Sequence, residues 1–180
     1  MKSFLTLLIF TVFLSAGNVE AQDVGRKKNI KFKYAEKHSE AISATTTSPL
    51  DSDAIYYSRF IDPVFQDTIY DYLRFFPEGQ LYRSGNYRQV PTEEDVTHEN
   101  LQRGYHGYYY IEDMVLHMEI YIDRYSDKEY YEATFDDSAV TIYKTKTMRS
   151  DINMIASVRK DTTVYHKTPM TLPDDVKPGW

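Results

Sequence analysis

YLRFFPEGQLYRSG, Tyr72 to Gly85, is the stretch whose reading decides the fold. Apolar and polar side chains alternate on both sides of Pro77-Glu78-Gly79, which is the period of a half-buried strand. Pro77 presets the first turn position and Gly79 tolerates a left-handed one, so the two arms fold back as a tight hairpin. Leu73 and Phe75 are expected in the core, while Arg74 and Arg83 are expected to keep the opposite face wet.

Outward from this hairpin the same rhythm recurs. AIYYSRFI (Ala54 to Ile61) precedes it and ends at Asp62-Pro63, and TIYDYLRFF (Thr68 to Phe76) forms its first arm. GYHGYYYIE and MVLHMEIYI follow, joined at Glu112-Asp113, with Met114, Leu116, Met118, Ile120 and Ile122 on one face. EYYEATF, a turn at Asp136-Asp137-Ser138, AVTIYKTKT and TTVYHKT complete the series. Thr92 is placed to cap a short helical turn whose first residues are Glu93, Glu94 and Asp95, favourable at the positive end of a helix. MRSDINMIASVRK shows no decisive period. Seven or eight short strands at even spacing, joined by tight turns, predict an all-β, antiparallel up-and-down barrel with one helical turn. Closure would remove the exposed strand edges.

The hairpin resembles one in the lipocalin-like barrel domain at the C-terminal end of some F-box proteins. The order of Phe76 to Gly79, then Gly107 to Tyr109, then Tyr109 to Ile122 is also similar to small secreted bacterial barrels of lipocalin-like type. That resemblance implies a barrel fold and leaves its contents open. No Gly-x-Trp marks the first strand, since the single Trp is Trp180.

The ends of the chain bear on location. Lys2, the apolar run Phe4 to Leu14 and the small residues at Val19-Glu20-Ala21 have the form of a secretory signal peptide cut between Ala21 and Gln22. The run is shorter than the roughly 20 residues a membrane-spanning helix needs. The 180 residues include no Cys, which together with the missing glycosylation sequon leans toward a bacterial secreted or periplasmic protein. The expected organisation is a signal peptide at 1–21, a basic and polar leader at 22–53, a barrel at 54–168 and a flexible tail at 169–180. Within the leader, NIKFKY alternates as a short edge strand would, and the rest reads as a solvated tail.

A net charge of −6, spread along the chain, argues against nucleic acid as a partner. No second long apolar segment predicts stable membrane insertion. The five His have no metal-ligand spacing, and the Asp pairs read as turns rather than calcium loops. No phosphate loop, nucleophile elbow or metalloprotease motif is present, so neither a cofactor nor an enzymatic activity is expected. His117, Glu119 and Tyr121 share one face and are expected to meet solvent.

What remains is the aromatic stock, 17 Tyr, none before Tyr34. Leu73, Phe75, Leu116 and Met118 are candidates for the lumen wall, with Tyr108, Tyr110 and Tyr131 at its rim. Together they would bind a small, partly apolar or aromatic ligand. The alternative is a structural or protein-interaction component of the cell envelope with a filled barrel.

Overall fold

The computed structural model describes residues 32–42, 49–96, 104–122, 127–149 and 154–171. The expected signal peptide, the basic stretch at 22–31 and the tail from 172 onward lie outside the described residues. Gly79 turns the hairpin with φ at 82°, donating its N–H to the Phe76 carbonyl at 3.0 Å. The arms are β2 (Thr68–Phe75) and β3 (Gln80–Tyr87), paired antiparallel with Leu73 opposite Arg83 and Phe75 opposite Leu81.

The other strands are β1 (Ala54–Ile61), β4 (Tyr105–Glu112), β5 (Val115–Ile122), β6 (Asp127–Phe135), β7 (Ala139–Arg149), β8 (Met154–Arg159) and β9 (Thr163–Pro169). β1 to β7 pair in sequence, and β9 closes the ring between β7 and β1. The result is a closed, eight-stranded antiparallel barrel. β8, from the stretch without a decisive period, stands outside the ring and pairs only with the upper half of β7. The β4–β5 turn is Asp113-Met114, both at positive φ, as a two-residue hairpin requires. Met114 is therefore an exposed turn residue, not part of the inward row with Leu116.

One half of the lumen is packed solid. Tyr56, Leu73, Phe75, Leu81, Tyr109, Leu116, Met118 and Ile120 form one cluster of fully buried side chains, which Leu50 joins from the segment before β1. Phe75 meets the rings of Tyr56 and Tyr109 edge-on at 5.3 and 5.1 Å. Gly107 permits close approach of β4 to β5, since a Cβ there would lie 2.1 Å from the Glu119 carbonyl oxygen.

Among the described residues the outer wall is covered in two places. A 3-10 turn at Glu93–Val96, held by Asp95 Oδ2 accepting from Thr92, packs Val96 against Ile55, Tyr72, Phe76 and Tyr82. Arg74 is buried on this outer face over the Phe76 ring, so it does not keep the face wet. The second cover is α1 (Lys33–Ile42), which takes up the last two residues of the NIKFKY stretch where a short edge strand was expected; residues 29–31 of that stretch lie outside the described residues. Phe32 and Tyr34 pack on Tyr108 and Tyr110 at 4.9 and 4.8 Å, so this part of the leader is bound to the barrel rather than solvated. Glu119 does face outward, yet it is 0 % exposed. It accepts from the Tyr34 backbone N–H at 3.0 Å and from Lys128 at 2.7 Å. No helix among the described residues is long and apolar enough to cross a membrane.

Candidate functional site

Above the packed half, the lumen opens into a cavity of about 920 Å³. Its inner lining comes from inward positions of six strands: Ser58 on β1, Asp71 on β2, Arg83 on β3, Tyr131 on β6, Thr145 on β7 and Tyr165 on β9. The same alternation that points Leu73 and Leu81 into the core points Asp71 and Arg83 into the lumen, two residues further up each strand. Arg83 thus stands inside the barrel, contrary to the wet face expected of it.

Arg83 is the hub of the floor. Its Nε and Nη2 donate to Asp71 Oδ2 at 3.0 and 2.8 Å. Its Nη1 donates to Tyr131 at 2.6 Å and to Glu129 Oε2 at 3.3 Å. Tyr131 in turn donates to Glu129, and Tyr165 donates to Asp71 Oδ2 at 3.0 Å. Burial works against the Arg83 charge, but Tyr131, Asp71 and Tyr165 around it outweigh burial and hold its pKa well above the ordinary arginine value. Burial first, then Asp71, pushes the Tyr165 phenol up, and burial does the same to Tyr131. Both phenols therefore stay protonated donors. A charge cluster this deep persists only when its members satisfy one another.

The floor is still open to the cavity, since 27 % of the Arg83 side chain is exposed there. Two carboxylates flank one guanidinium, and Asp71 Oδ1 accepts no hydrogen bond from the protein. At the mouth, Arg159 approaches Glu129 at 3.9 Å, Phe60 lines the cavity from the inward phase of β1, and Tyr57 and Tyr70 border it from the outer face. Donors, acceptors and ring faces converge on one concave space, the chemistry that orients a bound molecule.

No protein-family model matches the chain, and no curated protein matches it. Among solved structures, the chain is similar to that described as "The structure of bradavidin2-biotin complex", with 10% sequence identity and a TM-score of 0.40. The match covers 66% of this chain and 99% of that one. The strand pairing described above, not this likeness, defines the fold.

The residues singled out from sequence separate into three places. Tyr131 lines the cavity floor. Leu73, Phe75, Leu116 and Met118 point inward but sit in the packed half, none of them more than 1 % exposed. Tyr108 and Tyr110 lie on the outer wall beneath Phe32 and Tyr34, away from the lumen. Asp71, Arg83, Glu129, Thr145 and Tyr165 are absent from the sequence-based site. For Asp71 and Arg83 the signal was parity, since they share the inward phase of their strands with Leu73 and Leu81; a bulge between β6 and β7 breaks that parity before Thr145. Among the described residues no group of three His, Cys, Asp or Glu side chains gathers as a metal site.

Proposed function

We propose that this chain is an exported, non-enzymatic β-barrel that holds a small ligand in the open half of its lumen. The observation that carries this is the division of the barrel: one half filled by side chains, the other a cavity over a buried charge network. The network suits a polar end on the ligand, and Phe60, on the inward phase of β1, suits an aromatic or apolar part nearer the mouth. The ionisable groups of the floor bond to one another, as groups that orient a ligand do, rather than standing free as an acid and base. Export is supported by Lys2, Phe4 to Leu14 and Val19-Glu20-Ala21; N-terminal sequencing of the exported protein should begin at Gln22. The likeness of the Tyr72 hairpin to the F-box barrels supports the fold and brings no partner with it.

Native mass spectrometry of the protein isolated from its own source tests the ligand. A co-purifying mass that disappears in Thr145→Tyr, which fills the cavity, is expected. Repeated recovery of bare protein, together with no shift of cavity signals by any small compound, would remove the carrier function. An interaction role in the envelope draws on β8, which exposes Met154, Ile155 and Val158 outside the ring. Loss of a co-purifying protein on Val158→Lys, with the cavity still empty, would favour it.

A further inference from the structure

The ring is sealed by β9 over a short span only. β1 pairs with β9 from Ala54 to Tyr57, and β7 pairs with β9 from Ala139 to Ile142. Above that level β7 is bordered by β8 instead, through Thr145 to Arg159 and onward. The upper part of β1, Ser58 to Ile61, has β2 on one side and no strand on the other among the described residues. β8 likewise has β7 on one side and no second strand. The wall therefore carries a seam, and the cavity lies along it.

The lining shows what shape of molecule fits. Asp71, Arg83 and Thr145 line the cavity from inside the wall, whereas Tyr57, Tyr70 and His166 line it from the outer face. Tyr57 sits with its ring 6.1 Å from that of Tyr70 and 6.3 Å from His166. A compact molecule confined to the lumen would touch the first set alone. An extended peptide in the seam touches both, because successive side chains of a strand point to opposite faces. Its main chain also supplies the N–H and C=O groups that a free strand edge leaves unpaired.

We infer, resting on the small-ligand site above, that its ligand is a short extended peptide added as a strand along the Ser58–Ile61 edge of β1. Four residues of edge span roughly 13 Å at a strand rise of about 3.3 Å, enough for about four ligand residues. One alternate set of ligand side chains enters the lumen above Arg83, and the other lies against Tyr57 and Tyr70.

The test uses a positional-scanning library of acetylated, amidated hexapeptides against the isotope-labelled protein, with a library of non-peptide fragments in parallel. The best hexapeptide should slow amide exchange at Ser58 to Ile61. N-methylation at one alternate set of its residues should weaken it at least tenfold. Binding indifferent to N-methylation, or without protection of that edge, would overturn strand addition. Fragments that shift the Thr145 and Tyr165 signals while no hexapeptide binds would also overturn it and leave the small-ligand cavity standing. Binding by neither library would remove both.

Discussion

Arg83 donates to Asp71 twice, through Nε at 3.0 Å and Nη2 at 2.8 Å, across two neighbouring strands inside the barrel. The pair decides what the upper lumen is: a wet, charged floor rather than a continuation of the apolar core.

Removing the hub should therefore cost more than a surface charge would. Arg83→Met leaves Asp71 and Glu129 buried without their cation, a change that costs about 3–5 kcal/mol in comparable sites. Arg83→Lys keeps the charge but loses the fork that reaches Asp71, Glu129 and Tyr131 together, so it should lose less. Urea unfolding of both variants checks the order. Equal stability of Arg83→Met and wild type would show that the network is not satisfied as described.

The leader helix should detach without unfolding the barrel. Tyr34 contacts the rings of Tyr110 and Tyr130 at 4.8 and 5.5 Å, and aromatic pairs contribute about 0.5–1.5 kcal/mol each. Tyr34→Ala should raise hydrogen exchange across Lys33–Ile42 while Leu116, Met118 and Ile120 stay protected. Unchanged exchange in α1 would mean that the helix is held elsewhere.

His117 and Tyr130 set opposite limits on pH. His117 stacks on Tyr110 at 4.7 Å, and burial lowers its pKa, with Glu132 and Glu112 opposing and Lys37 and Lys144 assisting. The unfolded chain then binds its proton first, so stability present above about pH 6.5 falls as the solution is acidified. His117→Phe should flatten that slope. Tyr130 is pushed up to about 12, by burial first and then by Glu119. Its contribution is complete below about pH 10 and lost as pH rises toward 12; Tyr130→Phe should lessen the alkaline loss of stability, which Tyr131 and Tyr165, also pushed up by burial, share. Stability curves from pH 5 to 12 read both signs.

Two glycines should respond differently to the same methyl group. Gly107→Ala drives a Cβ to 2.1 Å from the Glu119 backbone oxygen, and overpacking of this kind costs about 1–3 kcal/mol or more. Gly85→Ala meets Asp71 Oδ1 at an ordinary 3.5 Å. It should fold normally and narrow the space beside the one Asp71 oxygen that accepts no hydrogen bond. Thermal melts of the two variants make the comparison.

The barrel itself was legible because most of its strands obey one period. β1 matches AIYYSRFI residue for residue, and Pro77-Glu78-Gly79 turns where the sequence places it. β8 escaped because MIASVR has apolar side chains on both phases, as a strand outside the ring can. The helix escaped because the alternation of NIKFKY runs into its first two residues, Lys33 and Tyr34, although Tyr34, His38 and Ile42 follow a spacing of four. Tyr108 and Tyr110 read as rim because alternation alone does not tell an outer wall facing water from one covered by a helix. The site was hidden for a related reason: Arg83 looks like a solvent residue until its strand phase is shared with Leu81 and its partner Asp71 is placed with Leu73.

The most direct measurement is a backbone and Thr-methyl chemical-shift map of the protein against a library of small polar and peptide compounds. Shifts should cluster at Ser58, Arg83, Tyr131, Thr145 and Tyr165 and vanish when Ser58→Tyr fills the lumen. Shifts confined to the outer wall away from Tyr57 and Tyr70, or a response unaffected by Ser58→Tyr, would contradict the cavity as the binding site.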